Sequence, residues 1–369
     1  MCQENTLMFV PQDAKSFTQE QLARWLGPYG IAPYRAGQIL RWIYQRGVYS
    51  FSEMTDLSKD LRQFLSERLV ISQLETEQVQ TSKDGSRKYL FRLKDGQHIE
   101  SVLIPEPGHW TLCISSQVGC GMGCKFCLTG RGGLVRNLES SEIVNQVCAV
   151  RDDLQDPSSL TNIVFMGMGE PLANYNSVVQ AIQTITGNNG LMFSSRRVTL
   201  STVGLAPRID DLGRDVKVNL AVSLNAADND TRNKLMPINR TYPIEMILSA
   251  CQRFPLPSRR TIMFEYVLIA GVNDAPTDAE RLARLLRPLR AKINLIPFNP
   301  YEGTEFKRPE EDVILAFQKV LLDHHYTAII RHSKGGDIGA ACGQLRAGSE
   351  LKAQRSRLKG QEDWSFFCL

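Results

Sequence analysis

The chain has 369 residues, of which 43% are hydrophobic and 22% charged, and it carries a mild formal net charge of +4. This balance is ordinary for a globular protein, and the length suits one large domain with additions or two domains. The apolar runs are too short for a membrane span, and the N-terminus lacks the basic start and apolar core of a secretory signal. We therefore expect a cytoplasmic enzyme without a membrane partner, in which clustered cysteines more often bind metal or act in catalysis than form structural disulfides.

The N-terminal part of the chain has the pattern of a helical domain, which we place at residues 1–72. Thr18 is a candidate N-cap for the segment T-Q-E-Q-L-A-R-W-L, whose apolar residues recur at helical spacing. The segment Y-R-A-G-Q-I-L-R-W-I-Y-Q-R-G continues this pattern and ends at Gly47. A further helix is predicted from Asp56 to about Arg68.

Residues 73–105 change to a β pattern. The pairs Asp84-Gly85 and Asp95-Gly96 are typical of tight turns between antiparallel strands. They separate K-Y-L-F-R-L and H-I-E-S-V-L-I-P, two short runs rich in β-forming residues. The pattern predicts a small antiparallel extension that leads into the main domain.

Residues 106–346 alternate between strand-like and helix-like segments, and a basic tail follows at 347–369. The predicted strands are 111–115, 162–166, 197–201, 219–224, 263–269, 292–297 and 328–331, and the predicted helices are 139–153, 175–187, 243–253, 277–289 and 309–324. Such alternation indicates parallel strands with helical crossovers. Six repeats suit an open or partial α/β barrel, and a doubly wound sheet is the competing layout.

Polar or glycine-rich segments follow five of these strands. They are the cysteine loop after the first strand, G-M-G-E-P (167–171) after the second, Ser201 and Thr202 at the third, Ser223 to Asn225 at the fourth, and P-F-N-P (297–300) at the sixth. In α/β barrels the working residues lie where strands end and the following loops begin. We therefore predict one functional site at the carboxyl ends of the strands.

The cysteine loop contains the pattern C-x3-C-x2-C at Cys120, Cys124 and Cys127, and Cys113 lies seven residues upstream. A structural zinc site commonly uses two C-x2-C pairs, and only one is present here. An iron–sulfur cube normally takes four cysteine thiolates, so three would leave one iron without a protein ligand. The pattern favours a catalytic cluster with an open position, and it leaves Cys113 either as a fourth ligand or as a separate thiol.

Several longer motifs carry a resemblance to a known family. They are Y-R-A-G-Q-I-L-R-W-I-Y, C-I-S-S-Q-V-G-C, R-N-L-E-S-S-E-I-V-N-Q-V, F-M-G-M-G-E-P-L, V-T-L-S-T-V-G and D-I-G-A-A-C-G-Q-L. From about residue 17 to 348 the chain resembles the RlmN/Cfr family of radical S-adenosylmethionine RNA adenine methyltransferases, and it is more similar to the RlmN branch. The resemblance implies a partial (β/α)6 radical-SAM barrel in the main domain.

The resemblance also implies the cofactor sites. Cys120, Cys124 and Cys127 would bind a 4Fe–4S cluster, and S-adenosylmethionine would chelate the open iron. Its other contacts would be Gly169, Glu170, Ser201, Ser223, Leu224, Asn225 and Asn299. The family often has His at the position of Asn225, and Asn retains one donor and one acceptor.

Three further residues receive catalytic roles from the resemblance. Cys342 would be methylated by one S-adenosylmethionine, and a 5′-deoxyadenosyl radical from a second would activate that methyl group to add to adenine C2. Cys113 would then release the product by forming a transient disulfide with Cys342, and Glu100 would accept the proton. The implied substrates are 23S rRNA and tRNA, and the implied electron donor is of the flavodoxin or ferredoxin type.

Two alternatives remain open. Within the family, a Cfr-like enzyme would methylate C8 of adenine in 23S rRNA. From another class, a non-enzymatic RNA-binding protein would hold a structural zinc. For RNA contacts we consider residues 1–72, the segment R-H-S-K (331–334) and the basic tail. The cysteines without a role in the family are Cys2, Cys148, Cys251 and Cys368, of which Cys148 and Cys251 are predicted to pack in the core.

Overall fold

The N-terminal region is helical in this computed structural model, which describes residues 11–346. Its helices are α1 (Gln19–Leu26), α2 (Tyr34–Gln45) and α3 (Lys59–Arg68), and two short parallel strands, β1 (Gln12–Asp13) and β2 (Leu69–Val70), join its ends. Thr18 caps α1 as predicted, since its hydroxyl accepts the N–H of Gln21 at 3.2 Å. Cys2, Cys368 and the predicted tail 347–369 lie outside the described residues.

Twelve further strands follow. They are β3 (Glu75–Thr81), β4 (Arg87–Arg92), β5 (His98–Glu106), β6 (His109–Cys113), β7 (Gln117–Cys120), β8 (Gly133–Asn137), β9 (Leu160–Phe165), β10 (Val198–Thr202), β11 (Asn219–Ser223), β12 (Ile262–Leu268), β13 (Ala291–Pro297) and β14 (Ala328–Ile330). The strands β7 and β8 form a separate antiparallel pair, and the other ten form one sheet.

The parallel part of this sheet has its strands in chain order, β6-β9-β10-β11-β12-β13-β14. A doubly wound sheet reverses direction at a switch point, whereas a barrel adds each strand beside the previous one. The observed order confirms the predicted α/β class with helical crossovers and favours the open-barrel layout. The connecting helices are α4 (Leu128–Arg131), α5 (Ser140–Asp153), α6 (Tyr175–Thr186), α7 (Ala206–Asp215), α8 (Asn229–Leu235), α9 (Ile244–Arg253), α10 (Pro276–Leu286) and α11 (Glu311–Asp323).

The antiparallel strands β3 to β5 belong to this same sheet rather than to a unit of their own. β5 pairs with β6, so that Val102 lies opposite Cys113. The two predicted Asp-Gly turns join β3 to β4 and β4 to β5, and Gly85 and Gly96 there adopt φ angles of 86° and 79°. The antiparallel strands therefore extend the parallel sheet beyond its first strand.

The predicted elements agree with the structure to within a few residues at each end. Absent from the sequence prediction are the helices α4, α7 and α8 and the short strands β1, β2, β7 and β8. Helix α7 contains Pro207 in its first turn and Gly213 near its end, where an added Cβ would lie 2.4 Å from the side chain of Pro255. The close packing of α7 against Pro255 therefore requires glycine at position 213, and glycine weakens the helical pattern of the sequence. Cys148 and Cys251 are buried in the core as expected. Within residues 11–346, no helix is long and apolar enough to cross a membrane.

Candidate active site

A cavity of about 970 Å³, counting the part open to solvent, lies at the carboxyl ends of the parallel strands. Its size is that of a small-molecule site. The predicted site residues in its wall are Cys120, Cys124, Cys127, Gly169, Glu170, Ser201, Ser223, Asn225, Asn299 and Cys342. Cys113, Leu224 and Glu100 are buried side chains that are not part of this wall. The fold thus gathers most of the predicted site from strands far apart in sequence.

The cysteine loop begins on β7 and ends at α4. Gly119 has a φ of 76°, and a Cβ at this position would lie 2.0 Å from the carbonyl oxygen of Gly133. No other residue could occupy this position without moving the β7–β8 pair. Gly123 also has a positive φ, of 68°. These glycines fold the loop so that three cysteine thiols face one cavity.

The donor set fits an iron–sulfur cluster. Cys120, Cys124 and Cys127 are free thiols in the wall of one cavity. A cube takes one thiolate at each separate iron, whereas a single ion needs its ligands around one point. Within the described residues, no three His, Cys, Asp or Glu side chains are placed to hold a single metal ion. Burial raises the pKa of Cys120 to about 12 in the absence of metal, so a bound cluster would have to stabilise the thiolate.

Gly169 and Glu170 form a tight turn after β9. Gly169 has a φ of 102°, and an added Cβ would lie 2.6 Å from the Cβ of Gln117. The carboxylate of Glu170 accepts the N–H groups of Leu172 at 3.1 Å and Val203 at 2.9 Å. Burial raises the pKa of Glu170 to about 7, while these hydrogen bonds oppose the rise. In this structure Glu170 joins the turn to the end of β10.

Ser201 and Ser223 converge on a residue that the sequence prediction missed. The carboxylate of Glu265, on β12, accepts the Ser201 hydroxyl at 2.6 Å and the Ser223 hydroxyl at 3.0 Å. Glu265 is buried and lines the cavity, and no Lys, Arg or His of the described residues lies within ion-pair distance of it. The signal in the sequence was a single carboxylate in the apolar strand M-F-E-Y-V-L-I.

Leu224 and Asn225 follow β11, and their side chains lie in different environments. The Leu224 side chain packs in the main core, and only its backbone is near the site, donating to the Glu265 carbonyl at 3.0 Å. Asn225 faces the cavity with an unusual φ of 59°, which Asn tolerates better than most residues. Its side-chain oxygen accepts the N–H of Val267 at 2.8 Å. The amide therefore holds the neighbouring strand and the left-handed turn together.

Cys342 is exposed to the cavity on a segment that we define as residues 335–346, the Cys342 segment. Asn299 donates to the carbonyl of Cys342 at 3.1 Å, and the N–H of Leu128 donates to the carbonyl of Gly343 at 2.7 Å. The Thr129 hydroxyl donates to the carbonyl of Leu345 at 2.6 Å. The residues that follow Cys127 therefore hold the Cys342 segment in place.

Cys113 lies at the end of β6 and is buried. Burial raises the pKa of Cys113, and the charge of Cys342 adds to that rise. The two thiols are therefore within electrostatic reach of each other, although 229 positions separate them. Desolvation by the surrounding protein atoms raises the pKa of the Cys342 thiol, and the positive charge of Arg331 opposes this rise.

Glu100 is buried rather than exposed on the surface of β5. One carboxylate oxygen lies 3.5 Å from the ammonium of Lys88, itself buried, and the other accepts the N–H of Arg346 at 2.8 Å. The Ser115 hydroxyl donates to the Glu100 carbonyl at 2.6 Å. Glu100 therefore contacts the Cys342 segment directly, which strand alternation alone does not show.

Two family models match the chain. The model described as "Ribosomal RNA large subunit methyltransferase N-terminal domain" matches residues 13–71, and the Radical SAM superfamily model matches residues 114–285. A curated protein named "Dual-specificity RNA methyltransferase RlmN" from Desulfosudis oleivorans is 55% identical over 339 residues, which cover 92% of this chain and 91% of that protein. The protein of the same name from Geobacter sulfurreducens is 57% identical over 334 residues, covering 90% and 92%.

A solved structure has the same fold. The crystal structure of a radical SAM methyltransferase from Sphaerobacter thermophilus matches with a TM-score of 0.85 and 44% sequence identity. The match covers 91% of this chain and 99% of that one. It spans both the helical N-terminal region and the parallel strands, so the two are found together in a related enzyme.

Proposed function

Because this chain belongs to the RlmN family of radical S-adenosylmethionine RNA methyltransferases, we propose that it methylates C2 of adenine in 23S rRNA and in tRNA. Its cofactors are a 4Fe–4S cluster and S-adenosylmethionine. The names of the curated relatives support two RNA substrates, and the N-terminal family model supports ribosomal RNA as one of them. We propose Cys120, Cys124 and Cys127 as the cluster ligands.

The observation that carries this proposal is Cys342, an exposed thiol in the wall of the cavity that also contains the three cluster cysteines. When bound, the cluster and S-adenosylmethionine supply the radical that activates a methyl group. Adenine C2 is electron-poor, so direct transfer from a sulfonium to this carbon is unfavourable. This direct transfer is avoided if the Cys342 sulfur first carries the methyl group and then delivers it while covalently bound to the RNA.

Cys113 is the proposed partner in product release. Its thiolate would attack the Cys342 sulfur, forming a Cys113–Cys342 disulfide as the bond between the Cys342 sulfur and the methyl carbon breaks. Thiol–disulfide chemistry requires an accessible sulfur and a thiolate. The electrostatic coupling of the two thiols supports their proximity. Two electrons from a reductant must restore both thiols before another turnover. For the electron that the cluster requires, we propose a donor of the flavodoxin or ferredoxin type.

Glu100 is the proposed proton acceptor. Its carboxylate contacts both Lys88 and the backbone of the Cys342 segment. A carboxylate can act as a general base, and the ammonium of Lys88 lies 3.5 Å from this one. Its position beside the Cys342 segment supports a role at the step that releases the RNA.

We propose that the N-terminal helical region contacts the RNA backbone. Arg41 on α2 and Arg46 directly after it are exposed, and neither forms an ion pair with a carboxylate of the described residues. Arg46 also lies over the ring of Trp42, 3.9 Å from its centroid. Arg41→Glu together with Arg46→Glu should weaken RNA binding and reduce its dependence on salt, since each phosphate contact releases counterions. An unchanged salt dependence in filter binding would contradict this contact.

Product identification tests the proposed reaction. Reconstituted enzyme is incubated anaerobically with reductant, S-adenosylmethionine and either 23S rRNA or tRNA, and digested RNA is analysed by mass spectrometry. We expect 2-methyladenosine from both RNAs together with 5′-deoxyadenosine. Exclusive 8-methyladenosine would favour the Cfr-like alternative, and modification of only one RNA would restrict the substrate range. Zinc in place of iron, with no cleavage of S-adenosylmethionine, would instead favour the RNA-binding alternative.

A further inference from the structure

Arg232 is among the largest side chains that are completely buried, with no exposed surface. Its guanidinium donates to the carbonyls of Leu224 at 2.9 Å and Val203 at 2.6 Å, and to the side-chain oxygen of Asn239 at 2.8 Å. All of these acceptors are neutral. Among residues 11–346, no carboxylate lies within ion-pair distance of Arg232. The carbonyls of Ser223 and Tyr242 also accept from it, at 3.3 and 3.5 Å. Hydrogen bonds therefore satisfy the guanidinium, but its charge has no anionic partner among these residues, and a buried unpaired cation is costly.

The helix that carries Arg232 packs against the cysteine loop. The N–H of Lys125 donates to the carbonyl of Leu235 at 2.9 Å. Cys124 packs in one apolar cluster with Leu235 and Met236. Burial lowers the pKa of Arg232 to about 10, and the charge of Cys124 opposes that shift. Arg232 lies about one helical turn before Leu235 and Met236, so the packing of α8 brings its positive charge close to Cys124, a proposed ligand of the iron–sulfur cluster.

We propose that Arg232 is the electrostatic partner of the cluster and stabilises its reduced form. One-electron reduction adds a negative charge to the cluster. A fixed cation in a dry, low-dielectric site favours that charge, and the charge around a cluster is one of the factors that set its potential. The same guanidinium holds the ends of β10 and β11 through Val203 and Leu224. Arg232 is thus a positioning residue that links the cluster loop to the strand ends carrying the S-adenosylmethionine site.

The test measures the midpoint potential of the cluster by EPR-monitored redox titration of the reconstituted full chain. In Arg232→Gln the ratio of reduced to oxidised cluster at the wild-type midpoint should fall about tenfold, because the positive charge is lost. Arg232→Lys keeps the charge and should restore most of that ratio. Arg253→Gln is the matched control, since Arg253 is exposed on α9 and paired with Asp210 at 2.7 Å. The cluster in Arg253→Gln should have the same midpoint potential as the cluster in the wild type.

A second variant keeps the test decisive if Arg232→Gln does not fold. Asn239→Asp places a carboxylate at the atom that already accepts from Arg232, and so neutralises the guanidinium without removing it. We expect a shift of the potential in the same negative direction at full iron content. A purely structural role for Arg232 predicts lower iron content or stability with an unchanged potential. An unchanged potential in Asn239→Asp with a full cluster would overturn the proposal.

Discussion

Two buried carboxylates at the cavity have different surroundings. Both oxygens of Glu170 accept backbone N–H groups, from Leu172 and Val203. Glu265 instead meets the hydroxyls of Ser201 and Ser223, which are short and can rotate. Both hydroxyls bind the same oxygen of Glu265, so its other oxygen can accept from a ligand in the cavity, whereas each oxygen of Glu170 already has one backbone donor and keeps one further acceptor position.

This difference predicts the effect of Glu265→Gln. The amide has nearly the same size but loses the negative charge and turns one acceptor into a donor. We expect S-adenosylmethionine to bind about tenfold more weakly, the loss typical of one hydrogen bond to a charged group. Isothermal titration calorimetry with the reconstituted protein measures the affinity for S-adenosylmethionine. Glu280→Gln on the exposed face of α10 is the control. Equal affinity in both variants would show that Glu265 does not face the cofactor.

The two proposed catalytic thiols predict opposite phenotypes. Cys342→Ala removes the methyl carrier, so no covalent RNA–protein adduct should form. Cys113→Ala leaves the carrier in place but removes the thiol that releases the product, so enzyme should accumulate on RNA. Denaturing gel electrophoresis with labelled RNA distinguishes the two outcomes. Cys251→Ala, a buried cysteine on α9, serves as the control and should turn over normally. Full turnover by either catalytic variant would contradict the two-thiol scheme.

At the scale of elements, the Cys342 segment is held from two sides. On one side, Leu128 and Thr129, which follow the cysteine loop, donate hydrogen bonds to its backbone. The other is the turn between β3 and β4, where Asp84 accepts the N–H of Gly335 at 2.7 Å and the Ser82 hydroxyl donates to Asp337 at 2.6 Å. The antiparallel extension therefore fixes the position of a thiol that comes more than two hundred residues later.

Asp84→Ala tests this anchor. Partial burial raises the pKa of Asp84, but hydrogen bonds from Gly335 and Ser86 outweigh it and lower the pKa to about 2. The stabilisation is thus complete above the usual carboxyl pKa and is lost as the pH falls toward 2. We expect the variant to lose about 1 kcal/mol of stability at pH 7 and to form the RNA adduct more slowly.

Thermal unfolding of wild type and Asp84→Ala at several pH values provides the measurement. The difference in melting temperature should be constant near neutral pH and should narrow below about pH 4, where the unfolded carboxyl begins to protonate. Asp95→Ala in the other Asp-Gly turn is a related control, because Asp95 pairs with Arg136 and not with the Cys342 segment. A pH-independent difference would show that the Asp84 charge does not hold the segment.

The sequence predicted the positions of the helices and strands better than the contacts between side chains on different elements. Buried parallel strands appear in the sequence as apolar runs, which is why each was placed within a few residues. Three closely spaced cysteines are likewise visible in the sequence as a candidate cluster site. Arg232 and Glu265 were missed because their partners lie on other strands and no local pattern pairs them. The sequence around Glu100 does not indicate its environment, and only the fold shows that Lys88 and the Cys342 segment cover it.

At the scale of the whole molecule, one sheet and one core connect the regions. The sheet runs from β3 to β14 without interruption. The main core cluster contains residues of the helical N-terminus, such as Leu22 and Ile39, together with Leu103 of β5 and Ile163 of β9. The proposed division at residues 72, 105 and 346 stays a prediction about sequence regions. The shared sheet and core argue that these regions fold together.

A fragment of residues 106–346 tests this directly. It lacks β5, so β6 would lose its antiparallel partner and become an exposed edge strand. It also lacks the anchors Asp84 and Glu100 of the Cys342 segment. We expect the fragment to aggregate or to unfold without a cooperative transition. The full chain is the control and should unfold in a cooperative transition. A cooperative, monomeric 106–346 fragment with a full cluster would show that the barrel folds independently.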